Sequence, residues 1–312
     1  MEKEKVQVIL DEASEGLRLD VVLSRRLPEI SRNAIQRLIR SGEITVCGEA
    51  FSPSRKAGIG DVIEYSSEIL LDEIMPEELP LDILYEDKHI LVINKAAGLV
   101  VHPNAHEKNG TLVNALLAHC PEADFQNMMD NFERPGIVHR LDKFTTGVLV
   151  VAKNRQTSDK LRADFKQHLM QKTYLAIIAG RPKCLVGDIR QPIARDPVSK
   201  TKMCVMPTGK EAWTEYRTVA SKNGVSVVKI RLHTGRTHQI RVHFAAMGNP
   251  VLGDVVYGLK PEQEAYHPQR QMLHAWKLAF RHPDSGKTMR FCAPLPEDFL
   301  EALSAVGISA PS

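Results

Sequence analysis

The chain has 312 residues, of which 43% are hydrophobic and 25% are charged; this is the balance of an ordinary globular protein, and the length suggests two domains. No apolar run approaches the roughly 20 residues that a membrane-spanning helix needs, and the charged residues 1–5 lack the apolar segment of a signal peptide. We therefore expect no membrane association and a cytoplasmic location. The net charge of +3 is too small to indicate a nucleic-acid partner by itself.

We expect residues 16–65 to form a small amino-terminal domain, preceded by a tail or strand at residues 1–15. Three apolar residues at helical spacing predict a short amphipathic helix: Ile35, Leu38 and Ile39. Three arginines project from its opposite face: Arg32, Arg37 and Arg40. Strands follow at 43–46 and 62–65. The arrangement resembles the small α/β RNA-binding domain named after ribosomal protein S4, which implies that the arginines contact RNA phosphates and add affinity rather than sequence choice.

Residues 66–80 are acidic, contain two prolines and show no clear period, so we interpret them as a linker between independently moving domains. A second domain follows over residues 81–305, with a carboxyl-terminal tail at 306–312. Its strands and helices mix without regular alternation, which favours an α+β fold over a doubly wound parallel sheet. The predicted helices lie at 111–119 and 155–169, and the predicted strands at 83–85, 90–94, 173–179, 215–219 and 225–232.

The most informative stretch of the second domain sets one carboxylate between basic and turn-forming residues: His139-Arg140-Leu141-Asp142, then Thr145-Thr146-Gly147. The apolar run at 148–152 predicts a buried strand, and Gly147 permits a tight approach into it. Asp142 would then lie on a loop at the mouth of a rigid element, where a catalytic carboxylate can be held in place. A salt-bridged loop acid beside Arg140 is the alternative, because structural ion pairs look the same in sequence.

Metal chemistry is not indicated by the cysteines or the histidines. The five cysteines are scattered without paired spacing, which argues against a disulfide framework and against a zinc site. The intervals of five residues between His233, His238 and His243 put neighbours on opposite faces of a strand or well apart around a helix. We therefore predict no metal.

Four motifs occur in the order in which the RluA-type pseudouridine synthases carry them: PGIVHRLDK at 135–143, KTYLA at 172–176, TGRTHQIRVH at 234–243 and GDVVYG at 253–258. The chain resembles this family over nearly all of its length after residue 81. The resemblance implies a mixed, largely antiparallel sheet in the catalytic core. It also implies an isomerase that converts uridine in RNA to pseudouridine without a cofactor. Thr146 stands where many relatives have serine, but it keeps the hydroxyl.

The resemblance also assigns roles to individual residues. Asp142 is the family's essential aspartate, and Arg241 holds it ionised, which we expect it to do as a bidentate pair. Tyr174 stacks on the target uracil and is a candidate acceptor of the C5 proton, although a core tyrosine with a satisfied hydroxyl is the alternative from the sequence alone. Arg140 contacts RNA near the vacated base stack. Supporting roles in the loop fall to three residues: His139, Thr146 and Gly147.

Two other classes of protein compete with the isomerase. A glycosidase needs two carboxylates flanking the bond, whereas this motif offers one acid accompanied by arginines. A non-catalytic RNA-binding protein would be expected to lack Asp142, Tyr174 or Arg241, and all three are present. Within the isomerase class, the sequence leaves open whether Asp142 attacks the sugar, attacks the base or assists a glycal route.

We expect the substrate to be a uridine in structured RNA. Large-subunit ribosomal RNA, alone or in a pre-ribosomal particle, is the first candidate, because an S4-like domain accompanies the ribosomal members of the family. Transfer RNA is the second candidate. Nothing in the sequence demands a protein partner.

Overall fold

The computed structural model describes residues 5–27, 30, 32–66, 74–104, 107–120, 125, 128, 136–199, 201–259 and 266–311. The chain divides into two compact units, one formed by Met1–Glu78 with His102–Pro135 and the other by Leu79–Val101 with Gly136–Ser312. Much of the expected linker, residues 67–73, lies outside the described residues. Within the described ranges, every helix is too short or too polar to traverse a bilayer.

The first unit begins with a small antiparallel sheet, in strand order β1, β3, β2, that packs with helices. Its described elements are β1 (Lys5–Ile9), a 3-10 turn (Glu12–Ser14), α1 (Leu19–Arg26), α2 (Arg32–Ser41), β2 (Ile44–Val46), β3 (Val62–Ser66) and α3 (Leu112–His119). The apolar stripe predicted for α2 is confirmed, since Ile35, Leu38 and Ile39 are buried in the core of this sheet and its helices. Helix α3 begins one residue after the predicted start, and Thr111 is its N-cap. The N–H of Thr111 donates to Oδ1 of Asn114 at 3.0 Å and so is satisfied at the helix start.

The second unit is built around one large sheet. In the described part of the chain its strands are β4 (Ile83–Glu86), β5 (Ile90–Lys95), β6 (Thr146–Ala152), β7 (Gln171–Ala179), β8 (Val186–Ile189), β11 (Thr214–Lys222), β12 (Val225–Leu232), β13 (Leu273–Arg281) and β14 (Thr288–Cys292). The other elements are β9 (Ile193–Arg195), β10 (Met203–Val205), α4 (Arg155–Lys166), α5 (Gln239–Ala246) and α6 (Glu297–Ala305). The sheet order is β4-β5-β6-β13-β7-β12-β11-β8, and β14 pairs with β13. Among the described strands only the β6–β13 pair is parallel, so the predicted α+β fold with a largely antiparallel sheet is confirmed.

Strand β6 lies inside the sheet, between β5 and β13. All of its residues are buried, as its β-branched, continuously apolar sequence predicts. Its register with β13 pairs Thr146 with His274 and Gly147 with Ala275. Because a central strand is hydrogen-bonded on both sides, the loop that leads into β6 is anchored at a rigid point.

Helix α4 is shorter than the predicted helix at 155–169. Leu161 is fully buried and Phe165 packs against the same core, so the apolar stripe exists. The helix ends at Lys166, and His168 has a left-handed backbone with φ 59°. A left-handed residue ends a helix, and Leu169 is therefore 60% exposed rather than part of the stripe.

Candidate active site

Asp142 lies on the loop that leads into β6, and its side chain is 21% exposed. The loop is held by Lys95, the last residue of β5. The Lys95 ammonium donates to the backbone carbonyls of Ala96 at 2.7 Å, Leu99 at 2.9 Å and Lys143 at 2.9 Å. Because Lys143 follows Asp142 directly, Lys95 fixes the backbone next to the carboxylate.

Lys95 is itself only 1% exposed. Burial lowers the pKa of its ammonium to about 7, and the negative charge of Asp142 acts against that shift. Three carbonyl acceptors match the three donors of an ammonium. Sequence reasoning missed this residue. A lysine at the end of a largely apolar strand was nevertheless a signal of a specific role, because a lysine is almost never fully buried unless it has partners.

We expect Lys95→Met to lower turnover about 10- to 100-fold, because a displaced carboxylate loses its productive geometry. The free energy of unfolding should fall by about 2–4 kcal/mol, since three carbonyls would lose their buried donor. Single-turnover kinetics and urea unfolding measure the two effects. Lys88→Met, which removes an exposed lysine from the turn before the same strand, is the control. Wild-type turnover in Lys95→Met would show that the loop needs no such support.

Arg241 binds Asp142 and a second acid, Asp254, at the same time. Its Nη1 donates to Oδ2 of Asp142 at 2.9 Å. Its Nε and Nη2 donate to the two carboxylate oxygens of Asp254 at 2.6 and 2.8 Å. The structure brings Asp142 and Arg241 together, but the prediction of a bidentate pair between them is wrong. The Nε–Nη2 edge of the guanidinium is occupied by Asp254, so Asp142 receives a single hydrogen bond through Nη1.

Asp254 is completely buried and also accepts the N–H groups of Val256 at 2.9 Å and Tyr257 at 3.1 Å. Burial raises the pKa of Asp254, but the hydrogen bonds and the charge of Arg241 outweigh burial and hold that pKa below its ordinary value. Burial lowers the pKa of Arg241, and the two acids outweigh it and raise that pKa. Asp142 therefore lies beside a permanent positive charge. Sequence reasoning gave Asp254 no role, although the motif at 253–258 contained it.

His238, the residue before α5, lies near the other carboxylate oxygen of Asp142. Its backbone is left-handed, with φ 55°, and its Nε2 lies 3.9 Å from Oδ1 of Asp142. The hydroxyl of Tyr257 accepts the Met203 N–H at 2.8 Å and lies 2.8 Å from Nδ1 of His238. Burial lowers the pKa of His238, against the charge of Asp142. The imidazole therefore lies between the phenol of Tyr257 and the carboxylate of Asp142.

Tyr174 lies on β7 and is 7% exposed. Among the described residues, its hydroxyl has no hydrogen-bond partner, which differs from a core tyrosine with a satisfied hydroxyl. Burial raises the pKa of its phenol, and the charge of Asp142 raises that pKa further. The ring is therefore a neutral phenol within the electrostatic reach of the carboxylate, which suits an aromatic platform better than a proton acceptor. Arg140 is exposed two residues before Asp142.

The structure places His139 between the loop and the core. Its Nε2 accepts the N–H of Val150 at 3.0 Å, and its ring stacks on Phe165 with the centroids 4.6 Å apart. Burial lowers the pKa of His139 to about 3, and the charge of Lys172 acts in the same direction. The ring is therefore neutral near pH 7 and joins the loop to β6 through its acceptor nitrogen.

Thr146 and Gly147 begin β6 against its parallel neighbour β13. The hydroxyl of Thr146 lies 2.8 Å from Nδ1 of His274. Gly147 has φ 112°, and a Cβ atom at this position would lie 2.2 Å from the carbonyl oxygen of Ala275. Both the backbone angle and the close approach of β13 therefore require glycine.

We expect Gly147→Ala to lower the free energy of unfolding by at least about 3 kcal/mol, because the added methyl group would push β6 and β13 apart. Gly248→Ala is the matched control. Gly248 also has a positive φ, 76°, but a Cβ there would meet nothing within 4 Å, so we expect a loss of only about 1 kcal/mol. Urea unfolding followed by circular dichroism gives both values. Equal losses would show that the contact with Ala275 is harmless.

The arginines predicted to bind RNA from the first unit differ in their surroundings. Arg32 is 47% exposed, and its Nη2 lies 3.1 Å from Oδ2 of Asp20, which is buried. Arg32 is therefore partly engaged in an ion pair within its own unit. Arg40 is exposed, and its Nη2 lies 3.4 Å from Oε1 of Gln36. The side chain of Arg37 lies outside the described residues.

Comparison with known sequences identifies the class of enzyme. The profile of the family described as RNA pseudouridylate synthase matches residues 89–246, and the profile of the S4 domain matches residues 17–63. The chain belongs to the RNA pseudouridylate synthase family, whose members are isomerases, and it carries an S4 domain at its amino terminus. The family predicted from the four motifs is confirmed.

Individual relatives match over almost the whole chain. An "Uncharacterized RNA pseudouridine synthase" of Aquifex aeolicus is 42% identical over 311 residues, which cover 96% of this chain and 98% of the relative. "Ribosomal large subunit pseudouridine synthase D" of Zymomonas mobilis subsp. mobilis is 41% identical over 304 residues, 94% of each chain. The solved structure "Human RNA Pseudouridylate Synthase Domain Containing 4" aligns with a TM-score of 0.58 at 25% identity, over 74% of this chain and 95% of that one.

Proposed function

We propose that this pseudouridine synthase isomerises uridines in large-subunit ribosomal RNA and that Asp142 is its essential carboxylate. The position of Asp142 carries the proposal. One of its oxygens is held by Arg241, and the side chain is 21% exposed, so a substrate can reach the carboxylate. The choice of RNA is supported by relatives at 41% and 40% identity that are named for the ribosomal large subunit.

The reaction needs no external reagent. The bond between ribose C1′ and uracil N1 breaks, the base rotates, and a bond forms between C1′ and C5. C5 loses its proton and N1 ends with one, so atoms and charge balance. In this proposal Asp142 reacts directly with the nucleotide. Tyr174 stacks on the flipped uracil, and its ring face tolerates rotation of the base. Arg140 contacts the RNA at the position in the stack that the base has vacated.

The S4 domain supplies affinity for RNA in this proposal. Positive side chains on an exposed helix contact phosphates and displace counterions without reading bases. Three residues of α2 are the candidates: Arg32, Arg37 and Arg40. Selection of the uridine then falls to the catalytic unit and to the shape of the RNA. The cytoplasmic location stays a prediction.

Carbodiimide-adduct primer extension tests the substrate. Pseudouridine retains the carbodiimide adduct after alkaline treatment, and reverse transcriptase stops there. We expect new stops in large-subunit ribosomal RNA, supplied as transcripts and as pre-ribosomal particles, after treatment with the wild-type protein. Transfer RNA transcripts are treated in parallel. Stops confined to transfer RNA would overturn the proposed substrate and leave the isomerase class intact.

A further inference from the structure

Lys172 is a nearly buried cation with no acidic partner among the residues that the structure describes. The residue is 8% exposed, and in the described part of the chain its ammonium forms no ion pair and no hydrogen bond. Its Nζ lies 5.9 Å from the ring centroid of Phe165. Burial and, to a smaller extent, the charge of Arg236 together lower the pKa of Lys172 to about 8. Because a buried charge without a partner is destabilising, this position favours a ligand that brings an anion.

Lys172 lies on the same side of β7 as Tyr174, since alternate residues of a strand share a face. Two residues along a strand are about 7 Å apart. In a nucleotide one ribose separates the base from its phosphates, which is a span of the same order. A nucleotide whose base stacks on Tyr174 therefore has a phosphate within reach of Lys172.

The loop beside Lys172 is held in a defined conformation. A Cβ atom at Gly235 would lie 3.8 Å from Nζ of Lys172, so this backbone borders the ammonium directly. Oε1 of Gln239 accepts the N–H of Arg236 at 2.9 Å and the hydroxyl of Thr234 at 2.7 Å. Arg236 is anchored further by its Nε, which donates to the carbonyl of Glu211 at 2.8 Å. Lys172 and Arg236 thus place two positive charges beside a loop whose backbone is held by hydrogen bonds.

We propose that Lys172 binds a backbone phosphate that flanks the target uridine. The inference rests on the proposed function, because it takes Tyr174 to hold the base. The phosphate would supply a negative charge next to the Lys172 ammonium, with Arg236 as a second cation. If Lys172 had only a structural role, its stem would pack against the protein while its tip reached water. Methionine would then replace that stem, and Lys172→Met would bind RNA as well as the wild type does.

The salt dependence of RNA binding tests the charge. Fluorescence anisotropy with a labelled large-subunit ribosomal RNA transcript gives the slope of log Kd against log salt concentration. We expect Lys172→Met to reduce the slope by about one phosphate contact, and Lys172→Arg to retain it. Lys229→Met is the matched control, because Lys229 pairs with Leu175 across β7 and β12 and so lies on the opposite side of the sheet from Tyr174. An unchanged slope in Lys172→Met would overturn the inference.

Neutral linkages then locate the phosphate. The fragment in which the wild-type protein forms pseudouridine is synthesised with one methylphosphonate, either 5′ or 3′ of the uridine. At one of these positions we expect wild-type binding to weaken about 10-fold, the scale of one charge-assisted contact, with no further loss in Lys172→Met. If the losses in affinity caused by the methylphosphonate and by Lys172→Met are additive at both positions, Lys172 contacts neither phosphate and the inference is overturned. If the wild-type protein forms no pseudouridine in any RNA, the proposed function fails, and the salt slope alone still decides whether Lys172 binds phosphate.

Discussion

Replacing Asp142 by asparagine is expected to lower turnover by at least about 10⁴-fold, the scale of loss when a central catalytic group is removed. The substitution keeps the shape of the side chain, and the amide oxygen still accepts from Nη1 of Arg241, whose distance to the carboxylate is 2.9 Å. The negative charge and the reactive oxygen are lost. RNA affinity should stay within about threefold of the wild type, because phosphate contacts elsewhere dominate binding.

Carbodiimide-adduct primer extension and anisotropy measure turnover and binding on the same RNA. Asp159→Asn is the control, because it makes the same substitution in an acid that is 60% exposed on α4; we expect wild-type turnover there. Retained turnover in Asp142→Asn would remove Asp142 from the chemistry. A parallel loss of RNA affinity would instead assign it to binding.

The second large effect is expected for Arg241→Lys, with turnover reduced about 10²- to 10³-fold, as when one preorganised electrostatic contact is removed. An ammonium on a flexible stem cannot form the bidentate pair with Asp254 and reach Asp142 as well. One of the two acids would lose its partner. Because Asp254 is completely buried, we also expect the free energy of unfolding to fall by about 3–5 kcal/mol.

The pH dependence of that stability loss identifies its source. The pKa of folded Asp254 lies below its ordinary value of 3.8, so the ion pair contributes its full stability above pH 3.8. The contribution disappears as the pH falls through the folded pKa and Asp254 is protonated. The difference between wild type and Arg241→Lys in urea unfolding should therefore be full at neutral pH and shrink in acid. Arg281→Lys, at an exposed position on β13, is the control. A difference that did not depend on pH would rule out the Asp254 ion pair as its cause.

Several features of the fold and the site were predictable because they are local properties of the chain. The β-branched run at 148–152 predicts a buried strand whatever surrounds it, and β6 is buried throughout. The stripe through Ile35 and Ile39 predicts one face of α2 in the same way. The end of α4 was not predictable, because Leu169 continues the apolar spacing and only the left-handed turn at His168 takes it out of the helix.

The sequence by itself determined the family, the α+β class and the loop that carries Asp142, because these follow from ordered motifs and local patterns. The pairing of Asp142 with Arg241 was implied by the family resemblance alone. The tertiary structure decided which charges share the site. Lys95 reaches the backbone of Lys143 across 48 positions, and Arg241 reaches Asp142 across 99. The Nε–Nη2 edge of Arg241, which can form a bidentate pair, binds Asp254 and not Asp142. The interaction of buried charges depends on distance and burial, and both are set when distant segments pack together.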